Sequence, residues 1–257
     1  MVSFRVLTGA VCTLLILLAN PVPTFAEPAA PGAHFPYPEK LTYRVEWRLI
    51  DAGAATVQLL RDNGPNGWDF NLRIESAGVV SRLYRVVDSY KVNADRRFCL
   101  GSALLDGQEG KRHSITKMTV DSAHRKLFSE ERDLIKNTSA SKAFDVAPCT
   151  HEIVGALASL RTLNLQPGKS TTVPIADGKK FAQVRIEAET KENVTVGGKS
   201  YAATRYEAFL FDNILYRRRG RLLFWISDDG DHLPLQFRLL LGFPIGTVTV
   251  WLQKQEK

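Results

Sequence analysis

The chain has 257 residues, a formal net charge of +7 at pH 7 and 44% apolar residues. A chain of this length buries about 70% or more of its unfolded surface, so it needs no metal or cofactor to hold a core, and we expect none. The excess of Lys and Arg favours a solubilising surface, with attraction to anionic phospholipid or lipopolysaccharide head groups as the alternative. No nucleic-acid recognition motif is present, so we expect no nucleic-acid partner.

The first 26 residues have the pattern of a cleaved secretory signal peptide. Arg5 precedes an apolar run, Val6–Leu18, and Thr24–Ala26 places small residues at positions −3 and −1 of a cleavage site. An uncleaved membrane anchor is the alternative, but the run is shorter than the about 20 residues of a spanning helix. Cys12 lies inside the run, which argues against lipidation there. We therefore predict export to the periplasm and no transmembrane span after cleavage.

The residues that follow divide into a tail and one domain. Glu27–Pro38 is rich in Pro, Ala and Gly and is predicted to be a flexible N-terminal tail of the mature protein. No Pro- or Ser-rich linker divides residues 39–257, which we predict to be a single β-rich domain. Strict alternation of apolar and polar residues from Leu41 to Leu49 predicts a half-buried strand, and Asp51–Gly53 is interpreted as the corner after it.

Alternation and turn residues predict further strands along the chain. Asp133–Pro148 is the longest stretch without a pattern and is predicted to be irregular. Gly197-Gly198 between two extended runs predicts a hairpin. The predicted strands are Ala54–Leu60, Trp68–Glu75, Tyr90–Val92, Phe98–Leu105, Ser114–Val120, Arg125–Ser129, Phe181–Glu189, Val194–Val196, Tyr201–Phe209, Leu222–Ser227, Leu233–Leu241 and Thr247–Leu252.

Helical spacing interrupts the strands at Thr150–Leu163. Ile153, Leu157 and Leu160 recur on one face, and Thr150 is interpreted as the N-cap. A second, shorter helix is predicted around Val79–Tyr84. The fold class is therefore mainly β: a large curved antiparallel sheet, half-barrel or barrel-like, with one covering amphipathic helix.

Cleavage of the signal peptide leaves two cysteines, Cys99 and Cys149. In an oxidising compartment an isolated pair favours a disulfide. Cys149 and His151 as half of a metal site is the alternative, but the other histidines are scattered, so we predict no metal.

No catalytic residue is assigned from the sequence. A Gly-x-Ser-x-Gly elbow and a complete His-Glu-x-x-His motif are both lacking. His151 is interpreted as an exposed neighbour of the helix cap and not as a base. Asp228–Asp231 resembles a calcium loop but lacks its spacing, so it is interpreted as an acidic hairpin turn.

The most concentrated charge is a run of arginines that we take as the candidate binding site. Arg217, Arg218, Arg219 and Arg221 follow Tyr216, and these guanidinium groups could hold a phosphate-bearing head group. A solvated strand edge is the alternative for such a run.

The order of motifs resembles a bacterial exported family catalogued as domain of unknown function 3108. The resemblance rests on Phe35–Trp47, Asp51–Ala55, Pro148-Cys149 before the helix, Leu165–Gly168, Phe224–Asp229, Leu233–Leu235 and Leu241-Gly242. It implies an exported β-rich envelope protein with no established activity and no catalytic residues to carry over. Its architecture is similar to lipid-handling half-barrels of the lipoprotein-carrier type, which is an analogy of fold.

Three functional hypotheses follow. The first is non-enzymatic binding of an apolar or amphipathic envelope component, such as lipid or lipopolysaccharide, in the concave sheet. The second is a structural or assembly factor that contacts envelope proteins through a sheet edge. The third is a hydrolase whose site is built from scattered carboxylates.

Overall fold

The computed structural model describes residues 38–61, 67–163 and 165–257. The predicted signal peptide, and all of the predicted tail except Pro38, lie outside the described residues. The elements are β1 Glu39–Trp47, β2 Ile50–Arg61, β3 Gly67–Ser76, α1 Gly78–Leu83, β4 Val86–Asp95, β5 Leu100–Glu109, β6 Arg112–Asp121, β7 Lys126–Asp133, β8 Thr138–Asp145, α2 Ile153–Arg161, β9 Ser170–Ala176, β10 Phe181–Val196, β11 Lys199–Ala208, β12 Gly220–Ser227, β13 Pro234–Leu241 and β14 Thr247–Glu256.

All of these strands belong to one antiparallel sheet. Its order is β8-β7-β6-β5-β4-β3-β2-β1-β14-β13-β12-β11-β10-β9. Strands that pair in the sheet are consecutive in sequence, except β1 and β14, and β8 and β9 form its two edges. Lys40 on β1 lies opposite Glu256 on β14, and Trp47 lies opposite Val248. The chain thus builds two meanders, β1–β8 and β9–β14, that are joined at the middle of the sheet.

Helix α2 connects the two edges of the sheet, and the sheet curls around it. Val154 and Ala158 pack against Leu59 and Phe70 of the first meander. Ala156 and Leu160, together with neighbouring residues, pack against the second meander, from β9 to β12. Within the described residues, β8 and β9 do not pair with each other, so the sheet stays open. The predicted half-barrel with one covering helix is confirmed.

A close approach of backbone fixes the position of α2. A side chain at Gly155 would place its Cβ 2.9 Å from the carbonyl oxygen of Phe98, in the β4–β5 turn. Only glycine lets the helix lie this close to the turn. The N-cap of α2 is Glu152, whose side chain accepts a hydrogen bond from the backbone N–H of Val154 at 2.8 Å. The prediction of Thr150 as the cap was wrong; its hydroxyl donates to Ala147 instead.

A disulfide joins Cys99 to Cys149, as the sequence predicts. It links the β4–β5 turn to the segment that precedes α2. His151 lies beside it and is buried, so the prediction of an exposed His151 was wrong. Its ring nitrogen Nδ1 lies 2.7 Å from the carbonyl oxygen of Phe98, and its backbone pairs with β9 at Ile175. His151 therefore links β9 to the β4–β5 turn of the first meander.

Other differences from the sequence predictions concern turns and polar strands. The stretch Asp133–Pro148 contains strand β8, whose residues are almost all exposed and so carry no apolar alternation. The first turn lies at Arg48 and Leu49, both with positive φ, while Asp51–Gly53 is part of β2. Phe181–Val196 is one strand with a bulge between Ala188 and Thr190. The predicted short helix near Val79 is present as α1.

A buried ion pair locks the end of α2 to the start of the sheet. The Arg161 guanidinium donates to both carboxylate oxygens of Glu39, at 2.6 and 3.0 Å, and their side chains are 5% and 1% exposed. Arg161 also donates to the carbonyl oxygens of Asp231 and His232 in the β12–β13 turn. Gln255 on β14 donates to Glu39 at 2.9 Å. The pair joins both meanders to the helix.

Candidate functional site

The space directly between α2 and the sheet is filled. Its cavity, lined by Tyr43, Val57, Leu157 and Arg161 among others, measures about 20 Å³. That is room for about one water molecule. A lipid chain therefore cannot enter between the helix and the first meander. Any ligand inside the curled sheet has to lie outside this cavity.

Farther from the helix, the inner face of the first meander is apolar and half-exposed. Residues that lie directly opposite each other on neighbouring strands point to the same face of a sheet. One row of such residues crosses the first meander: it begins at Leu41, which is buried, and ends at Thr116, which is also buried. The four side chains between them are half-exposed. These half-exposed side chains are Val57, Leu72, Tyr90 and Leu105.

The second meander presents a second row. Ile186 and Ala208 are buried, and the residues opposed to Ala208 in turn are Leu222, Leu239 and Val248, all half-exposed. Leu222 and Leu239 pack against the core cluster that contains Phe211 of the β11–β12 loop. We call the half-exposed inner surface of both rows the cup. Leu157 of α2 is also half-exposed, and it lines the small cavity together with Val57. The helix therefore forms the floor of the cup.

Polar groups meet at one side of the cup. Asp88 and Tyr90 lie on the inner face of β4, and Tyr216 comes from the β11–β12 loop. Burial, and next the charge of Glu109, raises the pKa of Asp88 to about 6. Burial also raises the pKa of Tyr90 and of Tyr216, and the charge of Glu152 contributes to both. The Glu152 carboxyl is therefore near enough for its charge to act on both phenols.

Glu152 is the most strongly buried acid of this group. Burial raises its pKa from 4.5 to about 7, and hydrogen bonds from the first helical N–H groups only partly offset that effect. A carboxyl with a raised pKa binds a proton more tightly in the folded state than in the unfolded state. The free energy of unfolding therefore falls as the pH rises from about 4.5 to about 7 and is constant above that range.

We expect Glu152→Gln to remove most of this pH dependence. A shift of this size corresponds to roughly 3 kcal/mol of unfolding free energy, and glutamine keeps an oxygen for the Val154 N–H. Urea denaturation at pH 5, 6, 7 and 8 measures it. The variant should be the more stable protein at pH 8, while Asp88 leaves a smaller dependence of the same sign in both. Parallel curves for the two proteins would contradict the burial of an ionisable Glu152.

The structure separates the four arginines of the predicted binding site. Arg221 lies on β12, where its guanidinium donates to both oxygens of Glu207, at 2.8 and 2.6 Å, on the outer face of the sheet. Arg217, Arg218 and Arg219 are exposed in the β11–β12 loop. The prediction that the run holds a head group stays a prediction, and the geometry restricts it to the three loop residues.

Two further features bear on the site. Among residues 38–61, 67–163 and 165–257, no three His, Cys, Asp or Glu side chains come together in a way that could hold a metal ion. Asp228–Asp231 forms a turn between β12 and β13, in which Thr204 donates to Asp228 and Ser227 donates to Asp229.

In the part of the chain that the structure describes, no helix has the length and apolar character to cross a membrane.

The fold and the half-open interior define a barrel-like β protein. A crystallised β-barrel-like protein of domain of unknown function DUF1849 from Brucella abortus superposes with a TM-score of 0.55, covering 85% of this chain and 97% of that chain at 10% identity. Residues 42–253 match the profile of a family described as protein of unknown function (DUF3108). The chain belongs to this family.

Other solved structures are less similar. A Bacteroides fragilis protein with a YmcC-like fold has a TM-score of 0.33 at 8% identity, covering 87% of this chain and 97% of that one. A DUF1089 family protein from Pseudomonas aeruginosa has a TM-score of 0.30 at 12% identity, covering 79% and 90%. No curated protein matches the sequence. These likenesses concern the fold alone.

Sequence reasoning missed most of the cup. Leu72 and Leu105 were predicted as strand residues, but alternation does not distinguish a side chain that faces a filled core from one that faces an open interior. Tyr216 was noted only as a neighbour of the arginine run. Tyr90 lies opposite both Leu72 and Leu105, and no local signal in the sequence marks these side chains as half-exposed.

Proposed function

We propose that this protein is an exported, periplasmic binding protein that holds an apolar or amphipathic envelope component in the cup, without chemistry. The observation that carries the proposal is the row of half-exposed apolar side chains on the inner face of the first meander, Val57, Leu72, Tyr90 and Leu105. Natural domains seldom leave such a concave apolar surface in water unless something covers it. The signal peptide predicted at Met1–Ala26 supplies the compartment.

The polar side of the cup suits a ligand with one polar end. The hydroxyl groups of Tyr90 and Tyr216 make no hydrogen bond within the described part of the chain, although both residues are half-buried. Neither phenol oxygen is a buried atom without a partner, so both reach solvent in the free protein. A ligand hydroxyl, ester or phosphate placed beside them would form hydrogen bonds in place of that solvent, while the ligand's chains lie along the apolar rows.

Hydrolysis fits the geometry less well. Glu152 is engaged as the cap of α2, and His151 is engaged with the Phe98 carbonyl. A hydrolase built from carboxylates needs an acid and a base that are both free to act on one bond. Asp88, which faces the cup, is engaged as well: it accepts a hydrogen bond from the backbone N–H of Gln108 at 3.0 Å.

Binding in the cup is tested by two neighbouring leucines that point to opposite faces of β5. Leu105 faces the cup, whereas Leu104 lies between Lys91 and Lys117 on the outer face and is 37% exposed. We expect Leu105→Asp to weaken binding of the fluorescent apolar probe N-phenyl-1-naphthylamine by about tenfold or more, because a charge has to be desolvated beside the probe. Leu104→Asp should bind within about twofold of the unchanged protein.

Stability has to be measured for both variants, because aspartate disfavours strands at either position. If both remain folded and lose affinity equally, or if neither loses affinity, the probe does not bind in the cup. If the unchanged protein takes up no probe at all, the proposal of an apolar ligand site is wrong.

A specific observation also supports a second candidate, an assembly role. Strand β8 pairs with β7 along one side only and is exposed over nearly its whole length. An unpaired edge can accept a strand from another protein. A photo-crosslinking residue at Ser141 should then capture an envelope protein in cells, and one at Ser102 on the outer face of β5 should not; equal yields at both positions would contradict the edge-pairing role.

A further inference from the structure

One end of the curled sheet carries an unusual set of connections. Because consecutive strands run in opposite directions, the connections that leave β1, β3, β5, β7, β11 and β13 all start from the end away from α2. They comprise residues 48–49, 77–85, 110–111, 134–137, 209–219 and 242–246, and we call them the rim. Within the β11–β12 loop, Phe211 and Leu215 turn inward into the core. The β9–β10 turn is not part of the rim, since Gly178 folds inward against Met118 and Ser129.

Large apolar side chains project from the rim into solvent. Leu49 and Phe243, at the tips of two neighbouring turns, are 93% and 94% exposed. Leu83 and Ile135 are 71% and 66% exposed, and Val79, Tyr84 and Ile214 are exposed as well. These residues come from five separate connections, so their common position at one end is not a consequence of a single apolar stretch.

The opposite end differs. The described connections there, at residues 96–99, 122–125 and 228–233, expose none of the large apolar side chains, and Phe98 and Leu233 are turned into the core. That end also carries the acidic turn Asp228–Asp231. The exposed apolar side chains are therefore confined to the rim and to a few positions on strand faces and α2.

The rim is also basic. Its connections contain eight Lys or Arg residues, all exposed, and one carboxylate, Asp212. Glu109 and Asp133 lie at the strand ends beside it, and Asp133 pairs with Lys136. Three of the eight basic residues are consecutive, Arg217–Arg219, and the others are spread over the remaining connections: Arg48, Arg82, Arg85, Lys111 and Lys136. Exposed apolar tips set among basic side chains match the two parts of an anionic lipid surface, the acyl boundary and the charged head groups.

We propose that the rim is a docking surface for an anionic phospholipid bilayer. Phe243, Leu49 and the α1 side chains enter the head-group boundary, and the loop arginines contact phosphates. Docking in this orientation turns the mouth of the cup towards the bilayer, but the contact itself needs no ligand in the cup. The proposal therefore goes beyond ligand binding and can fail or hold separately from it.

The test uses the chain from Glu27 onward, because the apolar run Val6–Leu18 would insert into vesicles by itself. Co-sedimentation with phosphatidylcholine vesicles, with and without phosphatidylglycerol, measures binding. We expect binding to the anionic vesicles only, and weakening as salt shortens the screening length from about 10 Å at 0.1 M. Leu49→Asn/Phe243→Asn, and separately Arg217→Gln/Arg218→Gln/Arg219→Gln, should each weaken it by about tenfold or more.

Matched controls change equal numbers of apolar and positively charged side chains on the strand faces. Leu104→Asn/Phe128→Asn removes two exposed apolar side chains, and Lys91→Gln/Lys117→Gln/Lys142→Gln removes three charges away from the rim. Both controls should bind vesicles within about twofold of the unchanged protein. Leu49→Asn/Phe243→Asn should also keep the affinity of the cup for N-phenyl-1-naphthylamine, which separates the two proposals.

Three results would overturn membrane docking. The first is no binding to anionic vesicles, and the second is equal weakening by rim and control variants. The third is self-association, measured by sedimentation velocity, that the rim variants abolish while no vesicle binding is seen; that outcome would assign the rim to a contact between two copies of the chain.

Discussion

Replacing Arg161 with methionine is expected to lower the free energy of unfolding by about 3–5 kcal/mol, because it leaves the Glu39 carboxylate buried without its partner. Glu39 is 1% exposed and accepts two hydrogen bonds from the guanidinium. Methionine has nearly the length of the arginine stem, so the packing around the α2 C-terminus is largely retained. Urea denaturation with a fitted slope measures the change.

Two controls distinguish loss of this pair from a general effect of removing an arginine. Arg73→Met breaks the exposed pair between Arg73 and Glu75, and we expect a change below about 1 kcal/mol. Glu39→Met combined with Arg161→Met should recover part of the loss, because no unpaired charge is then buried. If Arg161→Met costs no more than Arg73→Met, the ion pair does not fasten the helix to the sheet as described.

Replacing both disulfide cysteines with serine is expected to destabilise the protein by about 2–5 kcal/mol. The bond closes a separation of 50 residues that contains β5, β6, β7 and β8. On the chain-entropy description, a loop of this size contributes about 4 kcal/mol by restricting the unfolded chain. The bond also holds the β4–β5 turn against the segment that leads into α2, where His151 pairs with β9.

Unfolding with and without dithiothreitol measures the same quantity in another way. The unchanged protein should lose stability under reduction to about the level of Cys99→Ser/Cys149→Ser, and that variant should not respond to the reductant. A variant as stable as the oxidised protein would contradict a bond that restricts the unfolded chain. A larger loss in the variant than in the reduced protein would point to strain from the serines themselves.

The strands that alternate clearly in sequence are the strands that the structure contains. Trp68–Glu75 and Thr247–Leu252 were predicted because one face meets the core and the other meets water. Strand β8 was not predicted because the side chains on both of its faces are exposed to solvent, so its apolar and polar residues do not alternate. Leu49 was assigned to a buried strand face, yet it lies at the tip of a turn with positive φ, where its exposure is part of the rim.

The site depends on distances along the sheet that no local pattern records. Glu39 and Arg161 are 122 residues apart in sequence and are joined only because β1 begins where α2 ends. The two rows of the cup come from β2–β5 and β12–β14 and face each other only after the sheet curls. Residue types alone also do not show that α2 fills one end of the interior, or that Phe211 and Leu215 of the β11–β12 loop turn inward into the core.

The two proposals concern one molecule. The exposed side chains of Leu49 and Phe243 and the basic side chains of the rim lie at the same end of the sheet. If both proposals hold, an amphipathic molecule would be taken up or released where that end meets a lipid surface. The α2 end, fastened by the disulfide and the buried ion pair, stays closed.

Native mass spectrometry of the protein purified from its own cell envelope tests ligand binding in the cup most directly. We predict that the unchanged protein and Leu104→Asp carry an additional mass in the range of lipids, and that Leu105→Asp does not. A protein that is always empty would contradict the proposed function, as would an additional mass retained equally by the Leu104 and Leu105 variants.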